Sequence, residues 1–184
     1  MRPSTLAAAS LGALLAICGT SARAQERGAY LEHNGSLGGF VTLGGEYSAL
    51  VVTGCVFCAN GKAVDGFDAI LDVGGTLAVG QSGSELILRG RLVFLSHARG
   101  ESLLFGYRKY FGRDDFKTFA GFDLMGTFEP VKTIGARASF GAIWDFSSIM
   151  GLWLDAGASF GVGAGRRFGA EINLGFQART YLFE

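Results

Sequence analysis

The chain has 184 residues, of which 49% are hydrophobic and 17% are charged, and its 16 basic residues balance its 16 acidic residues. Nothing in this balance suggests nucleic-acid binding, which would call for a basic face. Beyond the N-terminus, no segment approaches the roughly 20 continuous apolar residues of a membrane helix. The apolar residues are instead spread by alternation, which is typical of a membrane β-barrel.

Residues 1–24 are predicted to be a cleavable signal peptide, with a basic Arg2, an apolar core at residues 6–17 and a small-x-small cleavage site at Ala22-Arg23-Ala24. A lipoprotein anchor on Cys18 is the alternative, but the bulky Ile17 before it disfavours that modification. Residues 25–184 then form one predicted domain. Loss of Arg2 and Arg23 leaves 14 basic and 16 acidic residues, a net charge of 14 − 16 = −2.

The clearest pattern in the mature chain is residues 134–146, which alternate without a break. One set of positions is apolar, namely Ile134, Ala136, Ala138, Phe140, Ala142, Trp144 and Phe146. The other set carries charge and glycine, namely Gly135, Arg137, Ser139, Gly141, Ile143 and Asp145. Because successive side chains of a β-strand point to opposite faces, this pattern predicts a strand with one apolar and one polar face.

Eight such strands can be drawn in chain order. They are one strand between residues 30 and 51, followed by 67–80, 85–97, 102–111, 116–128, 134–146, 150–163 and 168–183. The short polar connections between them leave no room for crossover helices, so neighbouring strands should be antiparallel. An even count brings both termini to one side, and the longest connection, about residues 52–66, then falls on the other side, where an outer-membrane barrel carries its longer loops.

The polar face carries both signs of charge in near balance. Its predicted members are Glu46, Asp68, Asp72, Glu85, Asp123, Asp145, Asp155 and Glu171 against Arg89, Arg91, Arg108, Lys117, Arg137 and Arg179. Charges crowded inside a narrow barrel must pair because isolated buried ions are very costly, and the glycines on the same face make room for them. Aromatic residues such as Phe67, Phe116 and Phe168 lie at strand ends, as in the girdles at membrane interfaces. We therefore predict an all-β, eight-stranded antiparallel up-and-down transmembrane β-barrel; a soluble lipocalin-like periplasmic barrel enclosing an apolar cavity is the alternative.

With this strand number, alternation and export signal, residues from about 30 to 184 resemble the small eight-stranded outer-membrane barrels, such as outer-membrane protein X and the transmembrane domain of outer-membrane protein A. The terminal Tyr181-Leu182-Phe183 is similar to the C-terminal signal read by the barrel-assembly machinery, although Glu184 follows it. The resemblance implies a Gram-negative outer membrane, contact with its lipid and lipopolysaccharide, and the assembly machinery as a partner during biogenesis.

Two cysteines, Cys55 and Cys58, fall in the longest loop. An exported chain meets oxidising conditions, so we expect a small disulfide that closes this loop. A thioredoxin-like redox site needs a βαβ context that the sequence lacks, and a metal site needs further ligands nearby.

A catalytic site of the lipid A-modifying kind would need a histidine beside a serine at the outer rim. His97 lies near Ser96 and Ser102, but Ser96 points to the opposite face, and His33 lies before the clear strands. Arg166-Arg167, placed in the last outer loop, would be solvated or would meet lipopolysaccharide phosphates. We predict a non-catalytic structural or surface-interaction protein without a cofactor; a lipid A-modifying enzyme and a narrow pore are the alternatives.

Overall fold

A computed structural model describes residues 35–52, 62–79, 83–94, 99–112, 115–129 and 131–181. These residues form eight strands, namely β1 (Ser36–Val52), β2 (Lys62–Val79), β3 (Ser84–Phe94), β4 (Arg99–Phe111), β5 (Phe116–Glu129), β6 (Thr133–Asp145), β7 (Met150–Gly163) and β8 (Gly165–Tyr181). No helix in this described part of the chain is long and apolar enough to span a membrane.

Each strand pairs antiparallel with the next, and β1 pairs with β8 to close the barrel. Following the paired residues once around, from Leu37 through all eight strands, leads back to β1 at Tyr47, so the stagger is 47 − 37 = 10 residues. A barrel of eight tilted strands has an interior just wide enough to be filled by its own side chains. The predicted closed, antiparallel, eight-stranded architecture is confirmed.

Several strand boundaries differ from the prediction. β2 begins at Lys62 rather than at residue 67, because β1 and β2 stay paired as far as the Val52–Lys62 pair. β8 begins at Gly165 rather than at residue 168, because its first residues pair with the far end of β1. Cross-strand pairing thus extends strands through polar and glycine-containing segments in which alternation alone gives a weak signal.

The barrel has two ends. The loop end is defined by the β1–β2 connection and also carries the β3–β4, β5–β6 and β7–β8 connections, whereas the terminal end carries residues 35 and 181. An aromatic group lies outside near the terminal end, where Phe146 is 6.0 Å from Trp144 and 6.2 Å from Phe176 between ring centroids. Near the loop end, the ring centroids of Phe160 and Phe168 lie 4.9 Å apart, with the rings tilted by 48°.

The outer surface between these ends is apolar. The exposed large side chains on it include Leu43, Leu88, Phe105, Phe122, Leu124, Ile134, Phe140, Leu154, Ile172 and Leu174. In water, so continuous an apolar belt would be strongly unfavourable, whereas hydrocarbon solvates it. The polar face of every strand turns inward, so the lumen holds the charges.

Candidate functional site

The lumen contains all fourteen charged residues that alternation assigns to the polar face. Each is exposed by 6% or less: Glu46, Asp68, Asp72, Glu85, Arg89, Arg91, Arg108, Lys117, Asp123, Arg137, Asp145, Asp155, Glu171 and Arg179. Arg167, which the sequence analysis assigned to a loop, joins them at 8% exposure. These side chains form three groups along the barrel axis, which we call the terminal network, the central network and the loop-end group.

The central network consists of Asp72, Arg89, Arg91, Asp123, Arg137, Asp155 and Glu171. Arg137 lies at its middle and donates to three carboxylates on three other strands. The distances are 2.6 Å from Nε to Oε1 of Glu171, 3.0 Å from Nη1 to Oδ2 of Asp123 and 2.6 Å from Nη2 to Oδ2 of Asp155. One guanidinium thereby joins β5, β6, β7 and β8.

Arg91 links the opposite wall to the same cluster. Its Nε and Nη2 bind the two oxygens of Asp72 at 2.7 and 2.8 Å, a bidentate pair, and it also donates to both oxygens of Glu171. Arg89 is held more loosely, at 3.5 Å from Asp72 and 3.3 Å from Asp123. The charged side chains therefore meet across the lumen and fill its cross-section at this level.

The terminal network consists of Glu85, Arg108, Tyr110, Lys117, Asp145 and Arg179. Asp145 accepts from Arg179 at 2.6 Å and from Lys117 at 2.9 Å. The Tyr110 hydroxyl donates to Glu85 and accepts from Arg108, both at 2.9 Å. Among the described side chains of this network, three cations face two carboxylates, a surplus of one positive charge.

An apolar layer separates the two networks. Its members are Phe40, Ile87, Phe119, Ile143 and Trp153, with Tyr110 on its edge. The guanidinium carbon of Arg108 lies 3.7 Å from the Trp153 ring centroid and 4.2 Å from that of Phe119, a cation–π stack in a desolvated setting. The sequence analysis placed Ile143 on the polar face but missed Phe40 and Phe119, which the parity of their own strands would have revealed.

Glycine makes room for these large side chains where they approach the wall. A Cβ atom at Gly157 would lie 2.9 Å from two guanidinium nitrogens of Arg137, a separation that side-chain atoms do not tolerate. Arg137 cannot move away easily because three carboxylates hold it. The glycine face of the strands is thus part of the same packing as the charges.

The loop-end group consists of Glu46, Asp68 and Arg167. It corrects the prediction that Arg166-Arg167 lie in a loop, because both are residues of β8. Arg167 is a buried residue of β8, and its Nη2 lies 2.8 Å from each carboxylate oxygen of Glu46. Arg167 is therefore neither solvated nor available to a phosphate, because its side chain points from the extended β8 into the lumen. Asp68, also in this group, accepts a hydrogen bond from the Ser48 hydroxyl at 3.4 Å.

Several predictions fall on residues outside the described ranges. These are the signal peptide at 1–24, His33, Cys55, Cys58, Ser96, His97 and the C-terminal residues 182–184. Ser102 is described and is buried, with its hydroxyl 3.1 Å from that of Thr127. Within the described strands and turns, no group of three His, Cys, Asp or Glu residues could hold a metal ion.

Comparison with known proteins identifies the fold through structures alone. No protein-family model matches the chain, and no curated protein sequence does. A de novo designed transmembrane β-barrel superposes with a TM-score of 0.54 at 14% identity, covering 86% of this chain and 100% of the designed one. Neisserial surface protein A superposes with a TM-score of 0.53 at 11% identity, covering 76% of this chain and 96% of that protein. The N-terminal barrel of OprF from Pseudomonas aeruginosa superposes with a TM-score of 0.48 at 11% identity, covering 74% of this chain and 96% of that domain. The chain has the fold of the small eight-stranded outer-membrane barrels.

Proposed function

We propose that this protein is an integral outer-membrane β-barrel with a closed lumen, which acts as a rigid anchor for loops that meet partners at the cell surface. In this role the barrel carries out no reaction and holds no cofactor. The loop end would face the outside and the terminal end the periplasm, with lipid and lipopolysaccharide around the belt. Export by the signal peptide at residues 1–24 and insertion by the barrel-assembly machinery are parts of the same proposal.

A membrane location is supported by the outer surface. Its exposed Leu, Ile and Phe side chains form a continuous belt with aromatic groups near both ends, at Trp144 and at Phe160. The natural barrels that share the fold include Neisserial surface protein A, a surface protein by its name. Fractionation of cell membranes, with electrophoresis of boiled and unboiled samples, tests this part. A heat-dependent shift in an outer-membrane fraction is expected, and a freely soluble protein would contradict it.

The observation that carries the closed-lumen proposal is the central network. Arg91 and Arg137 both contact Glu171 and extend to Asp72, Asp123 and Asp155, so that one connected set of ion pairs crosses the lumen. The apolar layer around Trp153 adds a second barrier to hydrated ions. Removing several buried ions from their partners together would cost far more than thermal energy.

Single-channel recording in planar bilayers tests the closed lumen. We expect no conductance steps from the purified protein at moderate voltage and neutral pH. Regular steps that disappear when a lumenal residue is replaced by a bulkier one would establish a narrow pore and contradict the proposal.

The surface role is tested by exchanging loops. The β1–β2 connection at residues 53–61 is the longest and is the first to replace, with a Gly/Ser segment of equal length. The matched control replaces the short β5–β6 connection at 130–132 in the same way. We expect the first exchange alone to reduce contact with host cells or other surfaces while both variants keep the heat-dependent electrophoretic shift. Unchanged contact in both variants would remove the surface role and leave a structural one.

A further inference from the structure

A small polar group interrupts the apolar outer surface near the terminal end. Its members, which we call the outer polar group, are Ser84 at the start of β3 and Tyr107 and Lys109 on β4. Ser84 and Lys109 are direct partners across the two strands. Because residues two apart on a strand share a face, Tyr107 and Lys109 lie on the same side as Phe105, which is 52% exposed. The group therefore lies on the outside of the barrel.

The three side chains converge on one atom. Ser84 Oγ accepts a hydrogen bond from the Tyr107 hydroxyl at 2.7 Å and lies 3.4 Å from Lys109 Nζ. Ser84 is buried, whereas Tyr107 is 44% exposed and Lys109 is half-buried. One ammonium group and two hydroxyls, all of them hydrogen-bond donors, thus stand together.

The outer polar group lies close to the end of the strands. Lys109 is two residues, roughly 7 Å, from Phe111, the last residue of β4. Phe111 and Phe116, at the start of β5, are both more than half exposed on the outside. A lysine at this level can lay its apolar stem along the surface while its ammonium group reaches the polar layer. In the membrane location proposed above, the ammonium group lies at the level of the lipid phosphates.

A shallow groove leads from Lys109 toward the middle of the outer surface. Ala120 on β5 is the direct partner of Lys109 on one side and of Phe140 on the other. Ala138 on β6 is the direct partner of Phe122. The two alanines form the floor, and the two phenylalanine rings, 53% and 62% exposed, stand on either side. Direct partners lie about 5 Å apart and diagonal neighbours about 7–8 Å, so the floor from Lys109 to Ala138 is roughly 12 Å long. We call this feature the alanine groove.

We propose that the outer polar group and the alanine groove bind one glycerophospholipid, with its phosphate at the polar group and one acyl chain along the groove. A phosphate diester is an anion whose oxygens only accept hydrogen bonds, which matches an ammonium group and two hydroxyls. The acyl chain would cover the alanine floor and contact the exposed faces of the two phenylalanine rings. The proposal rests on the membrane location and orientation proposed above, which place the site in the periplasmic leaflet, and it adds the identity of a bound lipid.

The test is an NMR titration of the purified mature protein in uncharged maltoside micelles with a short-chain phosphatidylglycerol. The amide signals of Lys109 and Ala120 should shift and saturate, because both residues border the site. A diacylglycerol with the same chains lacks the phosphate, and inorganic phosphate lacks the chains, so each should bind at least about tenfold more weakly. Equal binding of the diacylglycerol would remove the phosphate contact, and equal binding of inorganic phosphate would show an ion site without a groove. Either result would overturn the proposal.

Variants locate the site. Lys109→Gln should raise the apparent dissociation constant for the phosphatidylglycerol by about tenfold, as expected for losing a charge-assisted hydrogen bond. The matched control Lys132→Gln alters an exposed lysine at the loop end and should leave binding unchanged. Ala120→Leu fills the alanine groove without changing charge and should also weaken binding, whereas Ala69→Leu, at an exposed alanine of β2, should not. Equal weakening by a control and its test variant would refute the assignment of the site.

Lipid binding and membrane location are measured separately. The heat-dependent electrophoretic shift in an outer-membrane fraction tests the location, and the titration in micelles tests the lipid site. Absence of the shift in the unaltered protein would remove the location. A retained shift without saturable changes on addition of the phosphatidylglycerol would refute the lipid site alone.

Discussion

Replacing Arg137 by methionine tests the energetic role of the central network. The substitution keeps most of the side-chain volume but removes one cationic partner from each of three carboxylates, Asp123, Asp155 and Glu171. Among the described residues, Asp123 retains Arg89 at 3.3 Å and Glu171 retains Arg91, whereas Asp155 keeps only the amide of Asn173 at 2.9 Å. Removing one partner of a buried ion pair costs about 3–5 kcal/mol. We expect Arg137→Met to lower the free energy of unfolding by that amount.

Equilibrium unfolding by urea in lipid vesicles, followed by the heat-dependent electrophoretic shift, measures this free energy. The double variant Arg137→Met/Asp155→Asn also removes the charge of Asp155, the carboxylate left without a cation. It should recover part of the lost free energy of unfolding. Asp65→Asn is the control, because it alters an exposed carboxylate that accepts a hydrogen bond from the Tyr47 hydroxyl at 2.6 Å and should cost less than a buried ion pair. A loss below about 1 kcal/mol for Arg137→Met, or no recovery in the double variant, would refute the view that buried pairing holds this lumen together.

Two other substitutions test the packing and the outer face. Gly135→Ala should destabilise the barrel by about 1–3 kcal/mol, since its Cβ would lie 2.6 Å from the Cα of Gly161, whereas Gly126→Ala, whose Cβ meets nothing within 4 Å, should have little effect in the same urea assay. Equal effects of the two would contradict the lumenal packing. Phe140→Arg, in the middle of β6, should cost about 2–4 kcal/mol in lipid, and Ile134→Arg, near the loop end, about 0–1 kcal/mol. A cost that does not depend on position along the strand would argue against a bilayer around the belt.

The alternation of the sequence predicted the strand number and the parity of nearly every side chain. It could not predict which charges meet, because that depends on the stagger of the closed barrel. Arg91 and Glu171 are 80 residues apart and come together across the lumen only with this stagger. Arg167 was missed because the glycine and arginines before residue 168 show no alternation, yet pairing with β1 makes them part of a strand.

The apolar layer was missed for a different reason. Balanced charges on the polar face suggested a lumen filled by ion pairs, and the same parity that placed Ile143 on that face was not extended to Phe40 and Phe119. An eight-stranded lumen is narrow enough for aromatic side chains to fill one level and for ion pairs to fill the next.

In the bilayer location that we propose, the apolar face contacts lipid, whereas the polar face and Trp153 line the lumen. The two tryptophans test it directly, because Trp144 is 54% exposed on the outside and Trp153 is 1% exposed within. In vesicles with brominated acyl chains, part of the tryptophan fluorescence of the unaltered protein should be quenched, and Trp144→Phe should leave an emission from Trp153 that the bromines do not quench. If the emission that remains in Trp144→Phe were quenched as strongly as before, the two faces would be reversed and the account would fail.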